Sequence, residues 1–499
     1  MLPTPRADLK PNSADFERLP LVKPTGFREY DARWLFPDEI NLMGLNCVGL
    51  GMARLFDERG VKKRIVVGHD YRWYSGSVKQ ALMTGLLAGG FEVHDIGLAL
   101  SPMAYYAQFA LDVEGVAMVT ASHNDNGWTG IKMGLSRPLT FGPEEMGRLK
   151  EIVLAGDLAA PGGGSYYFVR DMGERYMKAL ADRPKLKRRL KVVAACGNGT
   201  AGAFAPQVLA AIGCDVIPLD ATLDHSFPRY NPNPEDLTML HAIADAVREH
   251  KADVGLGFDG DGDRCGVVDN EGHEIFADKV GVMLARDISS LHSKARFVAD
   301  VKSTGLFLTD PVLQANGATT TYWKTGHSYI KRFSHETKAL VGFEKSGHFF
   351  FNPPLGRGYD DGLVAAIAIL DMLDRNPDKS MADLKNALPK TWQSPTMSPH
   401  CDDDKKYGVV DRVVAHFQRA KASGTTVAGQ PIRELITVNG VRVVLADGTW
   451  GLVRASSNKP ELVVVVESPT SEANMRAIFA VLDAELATHP EVGAYNQKI

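Results

Sequence analysis

The chain has little cysteine. Five residues in 499, at positions 47, 196, 214, 265 and 401, stand far apart, with no metal-ligand spacing among them. That favours reduced thiols in the cytoplasm over a disulfide framework. Long apolar runs are also missing. The longest strongly apolar stretch, residues 363–370, is far short of the roughly 20 residues that cross a bilayer, so no membrane partner is expected. The opening MLPTPRADLKPNSADFERLP carries charges and prolines where a signal peptide needs an apolar segment, and reads as a disordered lead-in. Neither sign of charge dominates: 56 Lys and Arg against 60 Asp and Glu give a net charge of -4. Nothing therefore points to nucleic acid or an anionic surface. There is no G-x-x-x-x-G-K-[ST], which excludes a P-loop kinase, and no G-x-S-x-G elbow.

What the chain does have is length for about three or four domains and an internal repeat. Segments beginning at Lys62, Leu190 and Ala295 share one pattern: basic residues, a short apolar strand, a polar turn, a helical stretch and a turn into another strand. Each reads as a βαβ beginning. In every copy a further strand follows and ends in an unusual polar loop: VAMVTASHN, DVGLGFDGDGDR and ALVGFEKSGH. Three similar units presenting three such loops from equivalent positions imply a common cleft.

In the first copy, the apolar run 116–119 reads as a buried strand that stops at Thr120. The polar, Gly-bearing residues up to Gly130 neither prolong a strand nor begin a helix. Ser122 is thus expected on a loop at a strand's carboxyl end, where open α/β sheets bind ligands.

The second loop carries the strongest single signal. Asp259, Asp261 and Asp263 alternate with Gly260 and Gly262, crowding three carboxylates into a tight turn. A hard divalent cation relieves that repulsion, and oxygen-only ligands suit Mg²⁺, Mn²⁺ or Ca²⁺ better than zinc. An EF-hand is excluded, because Arg264 stands at its glycine position and Asn270 at its terminal glutamate. Arg264 adds a guanidinium suited to a phosphate.

The third loop, residues 342–348, mixes donors and acceptors. Upstream, Lys302 and Ser303, then the Lys-Thr-Gly-His stretch ending at His327, cluster donors at turns, though a surface histidine is an equal reading of His327. Beyond a helix expected over 371–388 and a Pro- and Ser-containing linker, the charged run 402–406 marks a boundary. From Ile436 short alternating strands form a meander, followed by a helix over 472–488. The turn 454–460 offers a guanidinium, hydroxyls, an amide and N–H groups able to enclose a phosphate.

FREYDAR at 27–33, TASHN at 120–124, DGDGDR at 259–264, GFEKSGH at 342–348 and RASSNKP at 454–460, in this order and spacing, resemble the α-D-phosphohexomutase superfamily, and within it the bacterial phosphomannomutase/phosphoglucomutase group. The resemblance implies three similar α/β domains with mixed sheets and a C-terminal α+β domain around a central cleft. Its expected boundaries are 1–167 for the phosphoserine-loop domain, 168–272 for the metal domain, 273–390 for sugar recognition and 400–499 for phosphate binding.

The same resemblance implies that Ser122 is phosphorylated in the active enzyme and completes, with Asp259, Asp261 and Asp263, the coordination of one Mg²⁺. Lys132 and Arg33 fall near the reacting groups, with His123 beside the serine as a further catalytic candidate. Tyr30, Arg264, Lys302, His327, Glu344, Ser346 and His348 would face the sugar phosphate. Arg454, Ser456, Ser457 and Asn458 would hold the phosphate that is not transferring. Departures from the family pattern are Asp125 after Asn124, Lys345 in the sugar loop and Asn458. The implied reaction moves a phosphoryl group between the 1- and 6-positions of mannose or glucose phosphates through a hexose 1,6-bisphosphate. The C-terminal domain is expected to close over bound substrate, in a cytoplasmic monomer or weak dimer. Other readings are a phosphoglucosamine mutase and a non-catalytic divalent-cation-binding protein. A serine hydrolase is disfavoured, because adjacent side chains on an extended loop diverge and would keep His123 from acting as the base for Ser122.

Overall fold

The structure, a computed structural model, describes residues 2–499. Two compact units make it up: residues to Ala277 with Ser346–Ala382, and Asp278–Lys345 with Asp383–Ile499.

The first unit opens with a six-stranded sheet built from β1 (Ala32–Leu35), β2 (Arg64–His69), β3 (Glu92–Leu98), β4 (Gly115–Val119), β5 (Trp128–Gly134) and β6 (Ser165–Phe168), in the order β1-β5-β4-β2-β3-β6. β2 pairs in parallel with β3 and β4, while β5 runs antiparallel to β4 and β1. Every residue of β4 is buried, as expected of a central strand covered on both faces by helices. The helices Leu42–Glu58 and Ser75–Ala88 contribute Leu45, Val48, Met52, Phe56, Val78 and Leu82 to the core that holds Val67, Ala117 and Val119.

A second sheet follows, with β7 (Lys191–Ala195), β8 (Asp215–Leu219), β9 (Val254–Phe258), β10 (Cys265–Asp269) and β11 (Glu274–Ile275) in the order β11-β10-β9-β7-β8. It too is mixed: β7 is parallel to β8 and β9, and β10 antiparallel to β9. The helix Leu237–His250 lays Met239, Ile243 and Val247 into a core with Val193 and Val268. Gly255 in β9 permits this approach, since a Cβ there would stand 2.3 Å from the Ile243 side chain.

In the second unit, β12 (Arg296–Asp300) pairs in parallel with β13 (Thr319–Trp323) and β14 (Val341–Phe343). The repeat is thus the same object three times: the first strand of each copy lies between the second and the third, and the polar loop follows the third. β15 (Phe349–Phe351) and the helix Gly362–Arg375 belong to the first unit. The C-terminal part is an antiparallel sheet of β16 (Trp392–Gln393), β17 (Ile432–Ile436), β18 (Val441–Leu445), β19 (Trp450–Ala455) and β20 (Leu462–Ser468), in the order β16-β20-β19-β18-β17. The helices Lys406–Ala422 and Glu472–Leu486 cover it with Val409, Val413, Phe417, Ile478 and Leu482. All five cysteines are free, and among the described residues no helix is long and apolar enough to cross a membrane.

Several expectations need correction. The N-terminal lead-in is not disordered: Phe16 is buried, and the Asn41 amide donates to the carbonyls of Phe16 and Leu19 while its oxygen caps the following helix at Gly44. A strand resumes at Trp128, before Gly130, because β5 finds partners on both sides. The helix expected over 371–388 is two helices, Gly362–Arg375 and Met381–Asn386, parted at Asn376 and Pro377 where proline disfavours helical backbone in the residue before it. The charged run 402–406 leads into the helix Lys406–Ala422, which the sequence reading passed over. The first strand of the meander, β17, lies at Ile432–Ile436 and so ends where it was expected to begin.

Candidate active site

Ser122 sits three residues past the end of β4, buried, with a left-handed backbone at φ 52°. Its surroundings fix that uncommon conformation. Its N–H donates to Thr120 Oγ1 at 2.9 Å, and Arg72 donates to the carbonyls of Ser122 and Asn124 at 2.8 Å each. Arg72 is itself held by Asp70, which also accepts from Thr120 and Ser75. Neither Arg72 nor Asp70 was found in the sequence, because only the fold brings residues 70 and 72 to this loop.

The hydroxyl of Ser122 donates to Asp259 Oδ2 at 3.0 Å. The second aspartate, Asp261, accepts from Ser101 Oγ at 2.6 Å and from Lys132 Nζ at 2.7 Å, and Lys132 also pairs with Asp263. All three aspartates are fully buried, and one carboxylate oxygen from each lies within 4.8 Å of the others. Arg264 Nε donates to Asp259 at 2.9 Å and its NH1 to Glu235 at 3.1 Å. This guanidinium is therefore engaged by carboxylates as well as available for charge stabilisation.

Burial and the neighbouring Asp261 carboxylate push Asp263 up to about 7. Burial also works to raise Asp261, but Lys132, Ser101 and Arg33 outweigh it and hold that carboxyl well below the ordinary range. For Lys132 burial favours the neutral amine, yet Asp261 and Asp263 raise it well above the usual lysine range. Oδ1 of Asp261 and Oδ1 of Asp263 are buried and accept no hydrogen bond. Buried carboxylate oxygens without donors are costly. Their oxygen-only chemistry and convergence fit a hard divalent cation.

Arg33, on β1, bonds Asp31 at 2.9 Å and the Thr120 carbonyl at 3.0 Å, so it braces the start of the serine loop. Tyr30 is buried just ahead of that strand. His123 Nδ1 lies 3.4 Å from Ser122 Oγ. The divergence expected of adjacent side chains does not occur, because the left-handed turn at Ser122 swings both to one side. The chain also brings His348 and Ser346 to the aspartate loop. Arg264 and His348 form an isolated antiparallel bridge, and the Ser346 carbonyl lies 3.5 Å from Arg264 NH1. His348 Nδ1 is 2.9 Å from Asp360 and 3.6 Å from Asp263. Asp360, fully buried, is a further residue the sequence did not mark.

The remaining predicted residues lie in the second unit. Glu344, buried, accepts from the Gly326 N–H at 2.8 Å, which binds its loop to the turn before His327. His327 opens the helix His327–Glu336 and is buried, not a surface histidine. Asp300, at the end of β12, accepts from Ser303, Thr325 and the Lys345 N–H. One carboxylate thus joins the loop of Lys302, the turn of His327 and the loop of Glu344. Arg454 lies within β19 and is buried, with NH1 on the Ala455 carbonyl at 2.7 Å. Ser456 is buried, Ser457 half-buried and Asn458 exposed.

Known proteins align with this arrangement along the whole chain. Four family models match in succession: "Phosphoglucomutase/phosphomannomutase, alpha/beta/alpha domain I" over residues 24–160, domain II over 174–272, domain III over 276–392 and the C-terminal domain over 401–484. A phosphomannomutase/phosphoglucomutase of Pseudomonas syringae is 34% identical over 94% of this chain and 96% of its own. A phosphoglucomutase of Neisseria meningitidis is 32% identical over 90% of this chain and 94% of its own. The crystal structure of a phosphoglucomutase/phosphomannomutase family protein from Burkholderia thailandensis matches with a TM-score of 0.83 at 29% identity, covering 95% of this chain and 99% of that one. With three α/β domains, an antiparallel C-terminal domain and a buried aspartate triad facing a loop serine, the chain belongs to the phosphoglucomutase/phosphomannomutase family and is a phosphohexomutase, an isomerase.

Proposed function

We propose that the protein interconverts the 1- and 6-phosphates of mannose and glucose through phosphoserine 122 and a hexose 1,6-bisphosphate. The observation that carries this reading is the Ser122 hydroxyl at 3.0 Å from Asp259, in front of three buried carboxylates. Asp259, Asp261 and Asp263, with a phosphate on Ser122, would hold Mg²⁺, which supplies positive charge to phosphoryl oxygens.

Phosphoryl transfer is governed by charge and alignment. In the first half, the bond between Ser122 Oγ and phosphorus breaks while a sugar hydroxyl oxygen forms its own bond to that phosphorus and gives up its proton. In the second half, the bisphosphate has turned by half a revolution: the bond between phosphorus and the other sugar oxygen breaks, Ser122 Oγ gives up its proton and takes that phosphoryl group, and the freed sugar oxygen takes up a proton. Lys132, whose ammonium Asp261 and Asp263 keep protonated, suits the role of donor to the departing oxygen. Arg33 adds fixed charge beside the Ser122 loop, and His123 lies beside the Ser122 hydroxyl.

Lys302, His327, Glu344, Ser346, His348, Arg264 and Tyr30 would face the sugar phosphate. Arg454, Ser456, Ser457 and Asn458 would bind the phosphate at rest. The division of labour follows domains at 1–167, 168–272, 273–390 and 400–499. Assays with mannose 1-phosphate, glucose 1-phosphate and glucosamine 1-phosphate side by side decide the sugar. Intact mass of the protein and of Ser122→Ala, before and after glucose 1,6-bisphosphate, decides the phosphoserine.

A further inference from the structure

Lys302 sits in the loop that leaves β12, with its side chain largely buried. The peptide groups around it are held by a residue more than a hundred positions away. Arg442, from β18 of the C-terminal sheet, donates through NH1 to the Val301 carbonyl at 2.9 Å and to the Ser303 carbonyl at 2.6 Å. These are the carbonyls on either side of Lys302. The guanidinium lies over two aromatic rings, 4.2 Å from the centre of Tyr322 and 3.6 Å from that of Trp450. It is buried to within 2% exposure.

Burying a guanidinium is costly unless its donors are used. Two neutral carbonyls and two ring faces are a demanding environment to build merely to join two sheets. Apolar residues of the same volume often join such surfaces with equal or greater stability. The neighbouring peptides are fixed just as fully. Glu467 accepts from the Gly305 N–H at 2.7 Å and from Thr304 Oγ1 at 3.0 Å, Asp278 accepts from the Thr304 N–H at 2.9 Å, and Tyr322 donates to the Thr304 carbonyl at 2.5 Å. A lysine side chain has four rotatable bonds, so its ammonium is placed only if its backbone is.

We propose that Arg442 is a positioning residue that sets the backbone of Lys302 so that its ammonium meets the substrate phosphate. The inference rests on reading Lys302 as a substrate contact. Arg442 touches no substrate itself. NH1 serves both carbonyls while the planar guanidinium lies over two rings, and the compact ammonium of a lysine does not reproduce that stacked placement.

The test is a double-mutant cycle on the purified full chain with Mg²⁺, using glucose 1-phosphate and mannose 1-phosphate. Lys302→Ala is expected to raise KM roughly tenfold, the scale of one charge-assisted contact. Arg442→Lys is expected to raise KM several-fold with a smaller change in kcat. In the Lys302→Ala background Arg442→Lys is expected to add nothing, because there is no ammonium left to place. If Arg442→Lys does not fold, as judged by circular dichroism, Arg442→Gln enters the same cycle, keeping an amide donor without a buried charge. The inference is overturned if the Arg442 change multiplies KM equally in both backgrounds, or leaves KM unchanged in a folded protein. Should Lys302→Ala itself leave KM unaltered, the reading of Lys302 as a substrate contact falls first, and the role of Arg442 with it.

Discussion

The carbonyl oxygen of Ser122 lies 2.5 Å from the point where a Cβ on Gly260 would stand. The serine loop and the aspartate loop therefore touch backbone to backbone, and only glycine leaves room. Neither contact atom is the end of a flexible side chain, so Gly260→Ala must move one loop against the other. Misplacing reacting groups by about 1 Å costs on the order of 100-fold in rate. A fall of that size is expected in Gly260→Ala, with the fold retained by circular dichroism and every predicted metal ligand intact. A variant as active as the parent would show that the loops need not meet.

Removing and restoring the cation should read out directly in stability. Chelation is expected to abolish turnover, and Mg²⁺ to raise the melting temperature, since a ligand at 100 times its Kd stabilises by about 2.7 kcal/mol. Lys132→Met removes the ammonium that pairs with Asp261 and Asp263. Leaving buried carboxylates unpaired costs about 3–5 kcal/mol. Thermal melting should show a destabilised variant that gains more from Mg²⁺ than the parent does. Equal gains would mean that the cation binds elsewhere.

Glu467 contributes an acid-sensitive share of the second unit's stability. Burial alone would raise its carboxyl, but Lys279 at 2.9 Å, the Gly305 N–H and Thr304 overcome that and hold it at about 2, below its ordinary 4.5. A carboxyl depressed by folding stabilises fully above its unfolded pKa, and the contribution fades as pH falls from 4.5 towards 2. The shift corresponds to about 3 kcal/mol. Urea unfolding of Glu467→Gln against the parent should therefore show a large difference at pH 7 that shrinks steadily below pH 4.5. A difference independent of pH would assign the effect to packing.

How much of this was legible in the chain depended on how local the cause was. The three copies could be read because each apolar strand, turn and helix is contiguous, whereas the order of strands in each sheet, with the first strand between the second and third, is set by pairings distant in the chain. DGDGDR declared itself because three carboxylates so close together are unfavourable without a cation. Arg72, Ser101, Asp300, Asp360 and Arg442 left no such trace, since each owes its place to partners reached only through the fold. His327 looked exposed because its neighbours Lys324, Thr325 and Gly326 are polar, yet Glu344 and Asp300 bury that turn by satisfying it. His123 was judged on the assumption of an extended loop, which the positive φ of Ser122 removes.

The most direct measurement concerns the hydroxyl of Ser122. Intact mass spectrometry of the parent after incubation with glucose 1,6-bisphosphate is expected to show one added phosphoryl group. Ser122→Ala is expected to show none, and to lose interconversion of the hexose phosphates under the same conditions with Mg²⁺. An alanine variant that still takes up the phosphoryl group, or still converts glucose 1-phosphate to glucose 6-phosphate at the parent's rate, would contradict the account.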